Sequence, residues 1–125
     1  MAQRFERDAA GQGPVVQGFA GGGFSVDGNV YRSLLLTPEL AREWTAPPVE
    51  ALTADHLEPL LSLSPPPEFL ILGTGPAQAF PPRALVRALE AKGIGVEAMD
   101  SRAAARTWGM LRGEGRWIAA ALLPL

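Results

Sequence analysis

The chain has 125 residues, of which 47% are hydrophobic and 19% charged, with a formal net charge of -2 and a pI near 5.4. That length and composition suit one globular domain around one core, and without a basic excess no nucleic-acid partner is expected. The absence of cysteine, with His56 as the single histidine, excludes disulfides, thiolate zinc sites, cysteine nucleophiles and imidazole-built metal centres, so neither a metal nor a cofactor is expected.

The start, Met1-Ala2-Gln3-Arg4-Phe5-Glu6-Arg7-Asp8, mixes both charge signs and runs into Gly11-Gln12-Gly13. Such a segment buries little and resembles neither a signal peptide nor a transit peptide; residues 1–13 read as a flexible tail and 14–125 as a single domain. No apolar run reaches the length of a membrane span, and a cytoplasmic location is the expectation.

From Pro14 the pattern turns strand-like, through Val15-Val16-Gln17-Gly18-Phe19 and Phe24-Ser25-Val26, with Gly21-Gly22-Gly23 between them. No Lys-Ser or Lys-Thr follows the glycines and no helix opens after them, so they are turn chemistry and not a phosphate cradle. Asp27-Gly28 supplies the positive φ that a two-residue hairpin turn needs, ahead of a strand over Val30-Tyr31-Arg32-Ser33-Leu34-Leu35-Leu36. This half is antiparallel.

Thr37-Pro38-Glu39-Leu40-Ala41-Arg42-Glu43-Trp44 carries a cap residue and a first-turn proline, which predicts a short helical turn with Arg42 and Glu43 on its polar face. A second helix is predicted from about Ala54 to Leu63, with Leu57, Leu60 and Leu61 inward, Asp55 and Glu58 as a capping box, and Pro59 forcing a start or bend. His56 falls in this segment, where a solvated or capping role suits it.

Phe69-Leu70-Ile71-Leu72-Gly73-Thr74-Gly75-Pro76 is an uncharged apolar run broken by turn residues, the mark of a strand buried on both faces. A loop over Pro76–Pro82, a helix from Arg83 to Lys92 and a strand over Gly95-Val96-Glu97-Ala98-Met99 complete a parallel, right-handed βαβ unit. Ser101 reads as the cap of a helix to about Leu111 with Ala104, Trp108 and Leu111 on one face, and Trp117–Leu123 as the closing strand. The fold class is therefore α/β, with N-terminal antiparallel hairpins followed by a parallel βαβαβ-like half on a mixed central sheet.

Two loops are placed on one edge of that sheet. Gly73-Thr74-Gly75 invites comparison with a dinucleotide turn, and Glu97 stands near the place of a ribose-binding acid, but Gln78 replaces the third glycine and Pro76 removes an N–H. A parallel sheet brings Asp100 and Ser101 to the same edge. Gly73, Thr74, Gly75, Asp100 and Ser101 thus form the candidate ligand or partner edge, a shallow anion-attracting concavity beside an exposed loop with Thr74 at its surface. Arg106, Glu114 and Arg116 bracket the last turn, as an ion pair across it or as a recognition site for a carboxylate.

Leu70-Ile71-Leu72-Gly73-Thr74-Gly75, Gly93-Ile94-Gly95-Val96-Glu97-Ala98-Met99-Asp100-Ser101, Ala104-Ala105-Arg106-Thr107, Leu111, Glu114-Gly115-Arg116 and Ala119-Ala120-Ala121-Leu122 together resemble the small-domain family that includes mitochondrial complex I assembly factor 3 and many bacterial and archaeal proteins. The resemblance spans Phe19 to Leu123. It implies a three-layer α/β domain, no catalytic residues and a role as a non-enzymatic protein-interaction or assembly module with a protein partner. The alternative is a small-ligand or nucleotide-binding domain using Gly73-Thr74-Gly75. Ala105 stands where relatives often have cysteine, Trp108 where they have tyrosine or phenylalanine, and Gly109 where many have asparagine, whose side-chain hydrogen bond Gly109 cannot make.

Overall fold

The computed structural model describes residues 13–125, and the tail expected over residues 1–12 lies outside the described residues. Gly13 itself is placed against the domain: at its φ of +82° a Cβ would collide with the Pro38 carbonyl. One residue on, the Pro14 carbonyl accepts the Trp108 indole N–H at 2.8 Å.

Strands β1 (Gly18–Ala20), β2 (Gly23–Val26) and β3 (Asn29–Tyr31) form a small antiparallel sheet. Asp27 (φ 50°) and Gly28 (φ 84°) make the two-residue turn between β2 and β3, as the sequence demands. The predicted strand over Val30–Leu36 is split, because its two ends serve different sheets. β4 (Leu34–Leu36) leaves the small sheet after Arg32-Ser33, where the Ser33 hydroxyl donates to the Trp44 carbonyl, and it enters the main sheet with all three leucines buried.

The expected helical turn over Thr37–Trp44 is instead a reversal followed by strand β5 (Ala41–Glu43), antiparallel to β4. Thr37 Oγ1 accepts the N–H groups of Glu39 and Leu40, and the Thr37 N–H donates to the Leu40 carbonyl at 2.9 Å. A threonine that satisfies the next N–H groups starts a helix or closes a turn equally well; pairing beside the buried leucines decides for the turn. The helix expected over 54–63 is likewise shorter. A 3-10 turn, Ala54–Leu57, passes into helix α1 (Glu58–Leu61), with Pro59 in its first turn. The cap pairs Thr53 with His56, not Asp55 with Glu58: the Thr53 N–H donates to His56 Nδ1 at 3.0 Å.

Strand β6 (Phe69–Gly73), helix α2 (Arg83–Glu90), strand β7 (Gly95–Met99), helix α3 (Ser101–Gly113) and strand β8 (Ala119–Leu122) make the parallel half. The main sheet has five strands in the order β5-β4-β8-β6-β7, with β8 parallel to β6 and antiparallel to β4, so the last strand joins the two halves. Leu70 and Leu72 point to one face, where they meet Leu57, Leu60, Leu85 and Leu89 from α1, α2 and the preceding turn. Ile71 points to the other, against Trp108 and Ala104 of α3 and Phe24 of the small sheet. Burial on both faces of β6 makes the three layers, and the strand's continuous apolar run is its sequence signature.

Candidate functional site

Gly73 ends β6 where the first turn of α3 crosses it. A Cβ on Gly73 would lie 2.7 Å from Ser101 Oγ and 2.9 Å from Leu122 Cδ2, so only glycine lets the helix approach. Ser101, fully buried, then closes a ring of bonds. Its hydroxyl accepts the Gly75 N–H at 2.9 Å and donates to the Leu123 carbonyl at 2.8 Å, while its own N–H reaches the Gly75 carbonyl at 2.8 Å. The Leu123 N–H returns to the Gly73 carbonyl at 2.9 Å. The helix cap is Asp100 and not Ser101: Asp100 accepts the Ala103 N–H at 2.9 Å.

The structure therefore brings Gly73, Thr74, Gly75, Asp100 and Ser101 together, but the polar groups bond to one another. Thr74 is 7% exposed, not a surface position. Its N–H donates to the Met99 carbonyl at 2.8 Å, and its hydroxyl donates to the Ala77 carbonyl at 2.7 Å, with the Met99 carbonyl a second acceptor at 3.2 Å. The same hydroxyl oxygen accepts the Ala79 N–H at 3.0 Å. The N–H groups of Thr74, Gly75, Ala79 and Ser101 are all paired internally and do not line the open concavity expected from loop and helix start. Such buried bonds contribute about 1 kcal/mol each when made and cost more when one partner is removed.

What these bonds hold out is the next stretch. Pro76, Ala77 and Gln78 are exposed, and Phe80, the residue that motif reasoning missed, is 86% exposed. The available signal was an aromatic inside Ala79-Phe80-Pro81-Pro82, where neither strand nor helix can bury it. Pro82 then starts α2 by accepting from Leu85 and Val86.

The charged trio is not assembled as expected. Arg116 pairs with Glu68, which precedes β6, at 2.8 Å, and its guanidinium lies 5.6 Å from the centre of the Phe69 ring. This hydrogen bond to Arg116 holds the Glu68 carboxyl below its ordinary pKa, and the same bond raises that of Arg116, with the charge of Glu114 a lesser contributor. Arg106 is exposed on α3 and makes no ion pair among the described residues. Arg112 is the buried arginine among the described residues; it donates to the Arg116 carbonyl at 2.6 Å, and burial lowers its pKa. Among the described residues no three His, Asp or Glu side chains gather as metal ligands, and no helix is long and apolar enough to cross a membrane.

Fold and site together define a small mixed-sheet α/β domain whose sheet edge carries a rigidly bonded loop in place of an open polar pocket. The chain belongs to the family described as protein of unknown function DUF498/DUF598, whose pattern matches residues 16–123. It is 37% identical to an uncharacterised protein of Rhodobacter capsulatus, over 100% of this chain and 94% of that one. It is 30% identical to NADH dehydrogenase [ubiquinone] 1 alpha subcomplex assembly factor 3 of Danio rerio, over 92% of this chain and 67% of the relative. A crystal structure of a Bordetella parapertussis protein superposes with a TM-score of 0.80 at 36% identity, covering 90% of this chain and 96% of the other.

Proposed function

We propose that this chain is a non-catalytic protein-interaction module that assists the assembly of a larger protein complex, and that it meets its partner through the loop Pro76–Pro82. The observation that carries the reading is Phe80, 86% exposed on a loop whose base is bonded shut by Thr74. An aromatic held out on a rigid loop suits a docking anchor, because it buries a large area at small conformational cost. Kinship with proteins named as assembly factors supports the same reading. In it, Gly73, Thr74, Gly75, Asp100 and Ser101 are the support of the recognition loop, and the small-ligand alternative is disfavoured because the N–H groups of Thr74, Gly75 and Ser101 are already paired. A cytoplasmic site of action remains part of the proposal, to be tested by fractionation of the host.

The experiment is affinity capture from the native host with the wild-type chain and with Phe80→Asp. One reproducible partner that is lost with Phe80→Asp, while thermal unfolding of the purified variant stays within about 2 °C, supports the reading. Equal capture by both proteins, or no partner together with a stoichiometric metabolite in native mass spectra, overturns it.

A further inference from the structure

The five-stranded sheet ends in two edge strands of different character. β5 has three residues, two of them the charged and exposed Arg42 and Glu43, which is the usual way of blunting an edge. At the other end β7 has five residues, and Glu97 is its only charge. Among the described residues its far side pairs with no strand.

The ladder shows which backbone groups are left over. The Met99 carbonyl accepts from Thr74 at the end of β6, so the backbone of Met99 faces β6. Alternation along a parallel strand then turns Glu97 and Gly95 toward β6 as well, and turns the N–H and C=O groups of Val96 and Ala98 outward. Val96 and Ala98 carry their side chains on the face of the leucine core, half-buried, while the exposed Glu97 side chain stands alone between Gly95 and Met99 on the opposite face. The free edge is thus two residues of open hydrogen-bonding pattern centred on one carboxylate.

We propose that β7 is a strand-addition site for an extended segment of another protein, one that reads apolar, basic, apolar, with its Lys or Arg opposite Glu97. This deepens the interaction-module reading, on which it rests, through backbone groups of β7 and not through the Phe80 side chain. Charge selects the occupant. A second copy of this chain, pairing antiparallel over the full strand, would set Glu97 against Glu97 in a non-hydrogen-bonded pair, where Cα atoms stand about 4.5 Å apart and like charges repel. A partner with a cation at that position turns the same closeness into attraction, while main-chain bonds to Val96 and Ala98 supply affinity and alternate side chains supply selectivity.

The test titrates the 15N-labelled chain with the acetylated and amidated pentapeptide Thr-Val-Lys-Val-Thr, and with its analogue carrying Glu in place of Lys. The expected result is that amide exchange at Val96 and Ala98 slows by about tenfold or more at millimolar Lys peptide, while Glu97, already bonded to β6, changes little. The Lys peptide binds about fivefold tighter than the Glu peptide, and Glu97→Lys, an exposed substitution, inverts the preference. Unchanged exchange at Val96 and Ala98, or equal affinity for the two peptides, overturns the proposal. So does protection at Val96 and Ala98 that grows with protein concentration alone, since it makes a second copy the occupant. These amides report β7 directly, so the proposal can fail with Phe80-dependent capture intact, and capture can fail with peptide docking intact.

Discussion

Two glycine-rich turns in this chain look alike on paper and differ in what they require. At Gly21-Gly22 the space around both residues is open, and glycine serves for its φ values of +58° and +79° alone. At Gly73 the backbone is ordinary strand, and glycine serves because Ser101 and Leu122 occupy the volume of a Cβ. The first turn is a local device, closed by the pairing of the two strands on either side of it. The second is a tertiary device, where strand, helix start and the chain's last residues bond to one another. Glycine runs in a sequence therefore need to be sorted by what they meet in the fold before any is read as a cradle for phosphate.

The contrast depends on the parallel half being the core, and Leu72→Asp tests that with the largest effect. Leu72 is fully buried between β7, β8 and the helices of one layer, so an unpaired carboxylate there should cost several kcal/mol, of the order of the whole stability. Loss of the cooperative thermal transition in circular dichroism is expected; a wild-type melt would remove β6 from the centre of the domain.

A paired comparison of Gly73→Ala with Gly22→Ala sharpens the point. Gly73→Ala overpacks the contact with Ser101 and should cost about 2–3 kcal/mol. Gly22→Ala meets empty space and carries only the left-handed backbone penalty of about 1 kcal/mol. Urea denaturation of both variants gives the order directly, and a larger loss at Gly22 would mean that the helix start can move aside.

The smallest expected effect lies outside both turns, at Glu68. Because the bond to Arg116 lowers the carboxyl's pKa in the folded state, its contribution to stability is present above the ordinary value of 4.5 and fades as pH falls through the lowered one. Both side chains are well exposed, so the effect is small. Glu68→Gln should flatten the acid limb of a plot of melting temperature against pH below about pH 4.5 and shift the neutral plateau little; an unchanged acid limb would show that the pair contributes nothing.

Much of the fold was legible from local chemistry. The uncharged run Phe69–Leu72 marks a strand buried on both faces, Asp27-Gly28 marks a hairpin, and the pattern from Arg83 to Lys92 marks the crossover helix, which ends two residues earlier at Glu90, because hydrophobic period and turn residues are properties of neighbours in sequence. The edge that gathers Gly73 to Gly75 with Asp100 and Ser101 was legible too, since parallel topology delivers those loops to one side. The misreadings share one cause. Thr37-Pro38-Glu39 satisfies the rules for a helix start and for a turn alike, and Asp100 and Ser101 are both competent caps; only the position of β4 and the bonds that tie the Ser101 hydroxyl to Gly75 and Leu123 choose between them.

Function divides along the same line. The amino-acid sequence by itself determined the α/β class, the order of elements in the parallel half and the family, because these rest on patterns read along the chain. Tertiary structure alone decided that the N–H groups around Thr74 bond inward, that Glu68 and not Glu114 pairs with Arg116, and that Phe80 is exposed and the outer edge of β7 unpaired among the described residues. Hydrogen-bond satisfaction and exposure are set by groups distant in sequence meeting in space, as when Ser101 closes on Leu123 across the carboxyl edge of the sheet.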